Sequence, residues 1–148
     1  MDLDIRKDLA SNWFKTLQDS ICHSISELEK NKIKFKSTTW KRNKKKDEGG
    51  GEYRILKDGR IFDKVGVNFS KVYGKFPKHF QKQIPGADKN PNFWASGISV
   101  VMHMKNPLIP AMHFNTGIFA HLMIGLVEVW MSLHPKKMKM REKNFTKY

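Results

Sequence analysis

The sequence predicts an α+β fold, a largely antiparallel β-sheet flanked by helices, and three observations predict it. Apolar residues between Asp4 and Lys30 recur at spacings of three and four, the period of a helix. Two short apolar runs bracket Lys57–Asp58–Gly59, an Asp-Gly turn signal, and are followed by alternation at period two. A third alternating run, residues 98–103, is stopped by Asn106–Pro107 and Pro110, which lock the backbone and end both helix and ladder. With 148 residues, 39% of them hydrophobic, the chain is long enough to form one ordinary domain that buries roughly two-thirds of its unfolded surface.

The helix comes first. Ile5, Leu9, Trp13, Leu17, Ile21, Ile25 and Leu28 form its apolar stripe, with Phe14 and Cys22 at the flank. The stripe is expected to pack on a sheet, with a dimer face as the alternative. Cys22 lies on this apolar side and reads as a core residue. As the single cysteine it excludes an internal disulfide and a thiolate metal cluster.

Ser37–Trp40 is β-branched and aromatic and reads as a strand. The run Lys41-Arg42-Asn43-Lys44-Lys45-Lys46 follows, then Asp47-Glu48 and three glycines, Gly49–Gly51. Backbone N–H groups beside cations can cradle an anion, whereas a solvated hairpin loop needs no ligand. The Gly-Lys-Ser/Thr ending of a P-loop is missing, which argues against a nucleotide. Tyr53–Leu56 and Arg60–Asp63 pair as a hairpin. Val65, Val67 and Phe69 then alternate with Gly66, Asn68 and Ser70. Residues 74–92 lack a sustained period and read as an exposed connection.

In the last alternating run Ile98, Val100 and Met102 face one way, and Ser99, Val101 and His103 the other. After the proline-punctuated turn the chain offers His113 and Asn115, so two imidazoles and a carboxamide are expected to converge at one sheet edge. By spacing alone, two histidines ten residues apart are more readily structural than ligating. His23, His79, His121 and His134 are read as structural.

Lys and Arg outnumber Asp and Glu by 28 to 14, a formal charge of +14 that attracts polyanions or reflects a lysine-rich proteome. A nucleic-acid binder would set aromatic platforms beside its cations, and only Trp40 adjoins the basic run, so nucleic acid is not the expected partner. The amino terminus carries acids and no continuous apolar core. The longest apolar run, Ile118–Trp130, is shorter than the roughly 20 residues of a membrane helix. A cytoplasmic protein with no membrane span is expected.

The series ICHSISELE, TTWKRN, EGGGEYRIL, DGRIFDKVGVNFSKVYG and FWASGISVVMHMKNPLIPAMHFN, from about Leu17 to Asn115, resembles the oxygen-dependent coproporphyrinogen III oxidases. The resemblance implies a homodimeric haem-biosynthesis enzyme that uses dioxygen to decarboxylate two propionates of coproporphyrinogen III, giving protoporphyrinogen IX. It implies a divalent metal such as manganese and no haem, flavin or NAD. Carried over by motif, Ser99, Asn115 and Thr116 are substrate-binding. His103 and His113 are metal ligands, and His113 is also the catalytic proton donor, a role that suits imidazole.

After Thr116 the resemblance stops. The family continues with an arginine and a WFGGG segment, whereas this chain reads GIFAHLMIGLVEVWMSLHP. Codons chosen among synonyms for Met123–Pro135, read in a shifted frame, spell DWFGGGLDVTP. The sequence therefore divides into residues 1–116, the amino-terminal part of a coproporphyrinogen oxidase domain, and 117–148, a divergent out-of-frame tail. The tail's apolar run is expected to form at most an adventitious helix, and Lys136–Tyr148 to be disordered. On this reading the chain is a truncated, inactive remnant with an incomplete sheet. The alternative is a non-catalytic basic protein that binds a polyanion.

Overall fold

The computed structural model describes residues 2–121, and 123–134 as the backbone of a strand. The order of elements is α1 (Leu3–Leu28), β1 (Lys36–Lys41), β2 (Gly49–Lys57), β3 (Phe62–Lys75), a single turn α2 (Lys78–Gln81), β4 (Asn92–Met104), β5 (Ala111–His121) and β6 (Met123–His134). The strands pair antiparallel in sequence order, β1-β2-β3-β4-β5-β6, so every connection joins neighbours. The expected α+β class, a largely antiparallel sheet with helical cover, is the one found.

Helix α1 lies across one face of the sheet. It ends where Lys30 and Asn31 both turn to positive φ (56° and 54°) and the Asn31 N–H returns to the Ser26 carbonyl at 2.8 Å. Phe14, Cys22 and Ile25 pack against Leu56, Phe62, Val65, Val67, Ile98 and Val100, the residues of β2–β4 that alternation sends to that side. Burial in this core holds the Cys22 thiol above its ordinary range, although Arg54 opposes the shift.

The buried face of α1 is only partly the one its apolar periodicity predicted: Ile25 and the flanking Phe14 and Cys22 are buried, and Leu17 and Ile21 pack at the margin of the core. Ser11, Phe14, Gln18, Cys22 and Ile25 are buried, whereas Ile5, Leu9, Trp13 and Leu28 are 52%, 55%, 57% and 53% exposed. Gln18 takes a place beside the apolar stripe because the sheet satisfies it. Gln18 Nε2 donates to the carbonyls of Glu52 (2.9 Å) and Val67 (3.1 Å). Lys15 bonds Glu52, and Arg54 bonds Asp19 and Glu52, both at 2.7 Å. Burial pushes the Glu52 carboxyl up, but hydrogen bonds from Lys15, Ser37 and Arg54 outweigh it and hold its pKa at about 2.

Glu29, one residue past the helix, is buried and accepts the N–H groups of Arg60, Ile61 and Phe62 at 2.6, 2.8 and 2.8 Å. Desolvation raises its pKa, and those three backbone donors more than offset it, so the carboxylate is held below its usual range. The predicted hairpin turn stands, with Asp58 at φ 58°. Its β3 side begins at Phe62, later than the predicted Arg60, and the N–H groups of Arg60, Ile61 and Phe62 all go to Glu29.

Three further expectations change. Gly49–Gly51 are not an anion cradle: they lie in β2, Gly50 and Gly51 opposite Lys41 and Trp40, and Gly49–Gly51 opposite Val72–Ser70. Residues 74–92 are not simply exposed, since Ala87 is fully buried and Phe76 stacks on Phe93 at 4.9 Å. Beyond Thr116 the described residues form strand, not helix. Strand β5 runs on unbroken to His121, and β6 pairs along it from Ala111↔His134 to His121↔Met123. Residues 136–148, expected to be disordered, lie outside the described residues.

Candidate functional site

The face of the sheet away from α1 is open, and its composition follows from alternation. Val65 and Val67 of β3 and Ile98 and Val100 of β4 turn to the helix, so Gly66, Asn68 and Ser70 and then Ala95, Gly97, Ser99, Val101 and His103 turn outward. On β5 the outward residues are His113, Asn115, Gly117 and Phe119, because His113 pairs with Val101 and Asn115 with Ser99. Glycine and alanine at 95, 97 and 117 leave a hollow between taller walls.

That hollow is an open cleft of about 690 Å³, lined among others by Asn68, Ser70, Gly97, Ser99, Asn115 and Phe119, with Ile84 and Pro85 of the 82–91 loop at its rim. Gly97 has no room for a side chain: a Cβ there would sit 2.6 Å from the Thr116 carbonyl oxygen and 2.9 Å from the Gly117 Cα. At the upper end Phe93, Phe76 and Phe119 cluster, and the Arg42 guanidinium lies 4.8 Å over the Phe93 ring.

Of the residues singled out by sequence, Ser99 and Asn115 come directly together as cross-strand partners on the open face. His113 stands one pleat further along β5. His103 faces the same way on β4, one pleat beyond the Val101 that His113 opposes, so the two imidazoles share a face as neighbours on a diagonal. The site does not lie at a sheet edge, because β4 and β5 are interior strands. Thr116 is placed elsewhere. It pairs with Ile98, is 7% exposed and faces the helix, so only its backbone reaches the cleft.

A metal centre needs more than this pair. Catalytic zinc, for example, takes three protein ligands, and no group of three His, Cys, Asp or Glu suited to a metal occurs among the described residues. His103 and His113 are a partial donor set that does not by itself hold a cation.

Sequence reasoning passed over Trp40 and Asn68. The Trp40 indole crosses the bare backbone of Gly51, its β2 partner, and its Nε1–H donates to Asn68 Oδ1 on β3 at 3.2 Å. Asn68 in turn pairs with Ser99. The alternation in GVNFS already put Asn68 and Ser70 opposite the valines; nothing in the sequence set them beside Ser99. Trp40, thus engaged, is not free beside the Lys41–Lys46 cations.

Comparison with known proteins gives a consistent result. The family described as Coproporphyrinogen III oxidase matches residues 10–132, a span that runs past Thr116. Oxygen-dependent coproporphyrinogen-III oxidases of Rickettsia felis, Rickettsia akari and Rickettsia typhi are 46%, 45% and 45% identical to this chain over 118 residues. The matched region is 74% of this chain and 41% of each relative, so the chain spans about two-fifths of their length. Among the described residues no helix is long and apolar enough to cross a membrane.

Proposed function

The chain belongs to the coproporphyrinogen III oxidase family, and from that premise we propose that the open face of its sheet is one wall of a coproporphyrinogen III site. The observation that carries the reading is the pairing of Ser99 with Asn115 over the glycine-floored cleft. A hydroxyl and a carboxamide side by side offer donors to carboxylate oxygens, and the flat floor at Gly97 and Gly117 accepts a broad ring system. His113, one pleat away on the same face, is the candidate proton donor.

The reaction assigned to the whole family domain is oxidative decarboxylation. Each of two propionates loses its carboxyl group as carbon dioxide and gives up two electrons and a proton to dioxygen, leaving a vinyl group. A divalent metal such as manganese would take His103 and His113 as two of its ligands and need further donors from outside this pair. Homodimer formation and a cytoplasmic location complete the reading as family properties. Because the chain spans about two-fifths of its relatives, residues 1–148 alone are expected to bind substrate without sustained turnover.

An anaerobic calorimetric titration with coproporphyrinogen III tests this. Saturable binding is expected, weakened about tenfold by Ser99→Ala and by Asn115→Ala, the loss of one hydrogen bond to a charged group. A flat titration of folded protein removes the reading. Under air, porphyrin fluorescence equal to that of His113→Ala is expected. Turnover that this substitution abolishes would show that the chain suffices alone.

A further inference from the structure

The open face carries a polar row that extends one strand beyond the pair already described. Asn68, Ser99 and Asn115 are consecutive cross-strand partners on β3, β4 and β5. They stand in one line spanning roughly 10 Å, twice the ordinary inter-strand spacing of about 4.8 Å. All three line the same cleft.

The orientation of the Asn68 amide is fixed by its neighbour. An indole N–H only donates, so the atom of Asn68 that meets Trp40 Nε1 at 3.2 Å is the carbonyl oxygen. With Oδ1 turned to Trp40, the opposite end of the amide is Nδ2, which can only donate, on a residue that lines the cleft. The bond is possible because β2 presents no side chain at Gly51, over which the indole passes. A Cβ on Gly51 would lie 2.9 Å from Trp40 Cζ2 and 2.0 Å from the Phe69 carbonyl oxygen, so the indole could not lie flat. Trp40, Gly51 and Asn68 therefore form a relay across three strands that ends in an oriented donor.

We infer that Asn68 is a further substrate-binding residue, that its N–H groups bond a carboxylate oxygen of the substrate alongside Ser99 and Asn115, and that Trp40 and Gly51 are the positioning residues that aim it. The inference rests on the substrate reading above, and its test separates the two. Asn68→Asp keeps the shape and turns the cleft-facing donor into an anion. Asn68→Ser shortens the side chain, and Trp40→Phe keeps a ring without the N–H.

Each variant is titrated anaerobically with coproporphyrinogen III and with its tetramethyl ester, with circular dichroism and the thermal midpoint as checks on folding. Asn68→Asp is expected to lose at least about tenfold affinity for the tetracarboxylate and less than about twofold for the ester, because only the acid presents a like charge. Trp40→Phe is expected to lose about threefold for the acid with its midpoint close to the parent's. A purely structural role would move both ligands together. If Asn68→Asp does not fold, Asn68→Ser decides, with a loss for the acid of about fivefold expected.

Unchanged affinity in the folded Asn68 variants, with Ser99→Ala and Asn115→Ala still weakened, overturns this inference and leaves the substrate reading standing. No binding by the unsubstituted chain overturns both.

Discussion

The two faces of one sheet obey different rules although the same strands make them. Toward α1, Leu56, Val65, Val67, Ile98 and Val100 are closed off from water, and the polar groups there, Gln18, Glu29 and Glu52, are spent on hydrogen bonds within the protein. Away from α1, the alternate residues of β3–β5 are mostly glycine, alanine, serine, asparagine and histidine, with Val101 and Phe119 among them, and Ser99 and Asn115 have no side-chain hydrogen bond among the described residues. One face supplies stability by being sealed, and the other keeps donors available by staying open. A substitution should therefore act on stability or on binding according to the parity of its position.

The largest expected effect breaks the sealed face. Leu56 is 0% exposed at the centre of the core, so Leu56→Ala should cost about 2–5 kcal/mol in denaturant unfolding. A cost below about 1 kcal/mol would mean that the two faces are not energetically distinct. Glu29→Gln, which removes the charge accepting three backbone N–H groups, should cost about 2 kcal/mol or more by the same measurement.

Acid should find the same face. Glu52 has its pKa lowered from 4.5 to about 2 in the folded protein, so the folded state holds its proton less tightly than the unfolded one. That stabilisation is complete above about pH 4.5 and is lost as pH falls toward 2, and it is worth at most about 3 kcal/mol. Glu52→Gln should flatten the decline in thermal midpoint across that interval; an unaltered slope would assign acid sensitivity elsewhere.

Two glycines sharpen the comparison on the open face. Gly97→Ala meets backbone at 2.6 Å, whereas a Cβ at Gly66 meets nothing within 4 Å. The first should lower the thermal midpoint by several degrees and narrow the cleft, and the second should leave the midpoint within about 2 °C, which differential scanning would show. The smallest effect belongs to the outer stripe of α1. Trp13→Lys, at a residue 57% exposed, should change unfolding free energy by no more than about 0.5 kcal/mol. A large loss would mean that the stripe is covered in solution.

The helix shows why local pattern misjudges a face. Counting apolar residues selected Ile5, Leu9 and Trp13, yet a helix buries the side its partner can satisfy, and here Gln18 finds two sheet carbonyls. Those carbonyls belong to residues more than thirty positions away, beyond any local period. The glycine triplet misled for a related reason. Beside a basic run it resembles a loop for an anion, and its actual use, room for Trp40 over Gly51, depends on a strand pairing that composition does not contain.

Sequence by itself determined the leading helix, the strands as far as β4, the hairpin at Asp58–Gly59, and which residues share a face within each of those strands, because those depend on dihedral preferences and a side-chain period of two. The family likeness is legible there as well. Tertiary structure alone decided which residues stand in one row: Asn68 beside Ser99 beside Asn115, and Thr116 on the other side from them. The physical reason is register. Slipping one strand by a single residue would turn all its side chains to the opposite face, and the turns, the irregularity between Phe62 and Lys64, and the clamp of Glu29 fix that register through contacts distant in sequence.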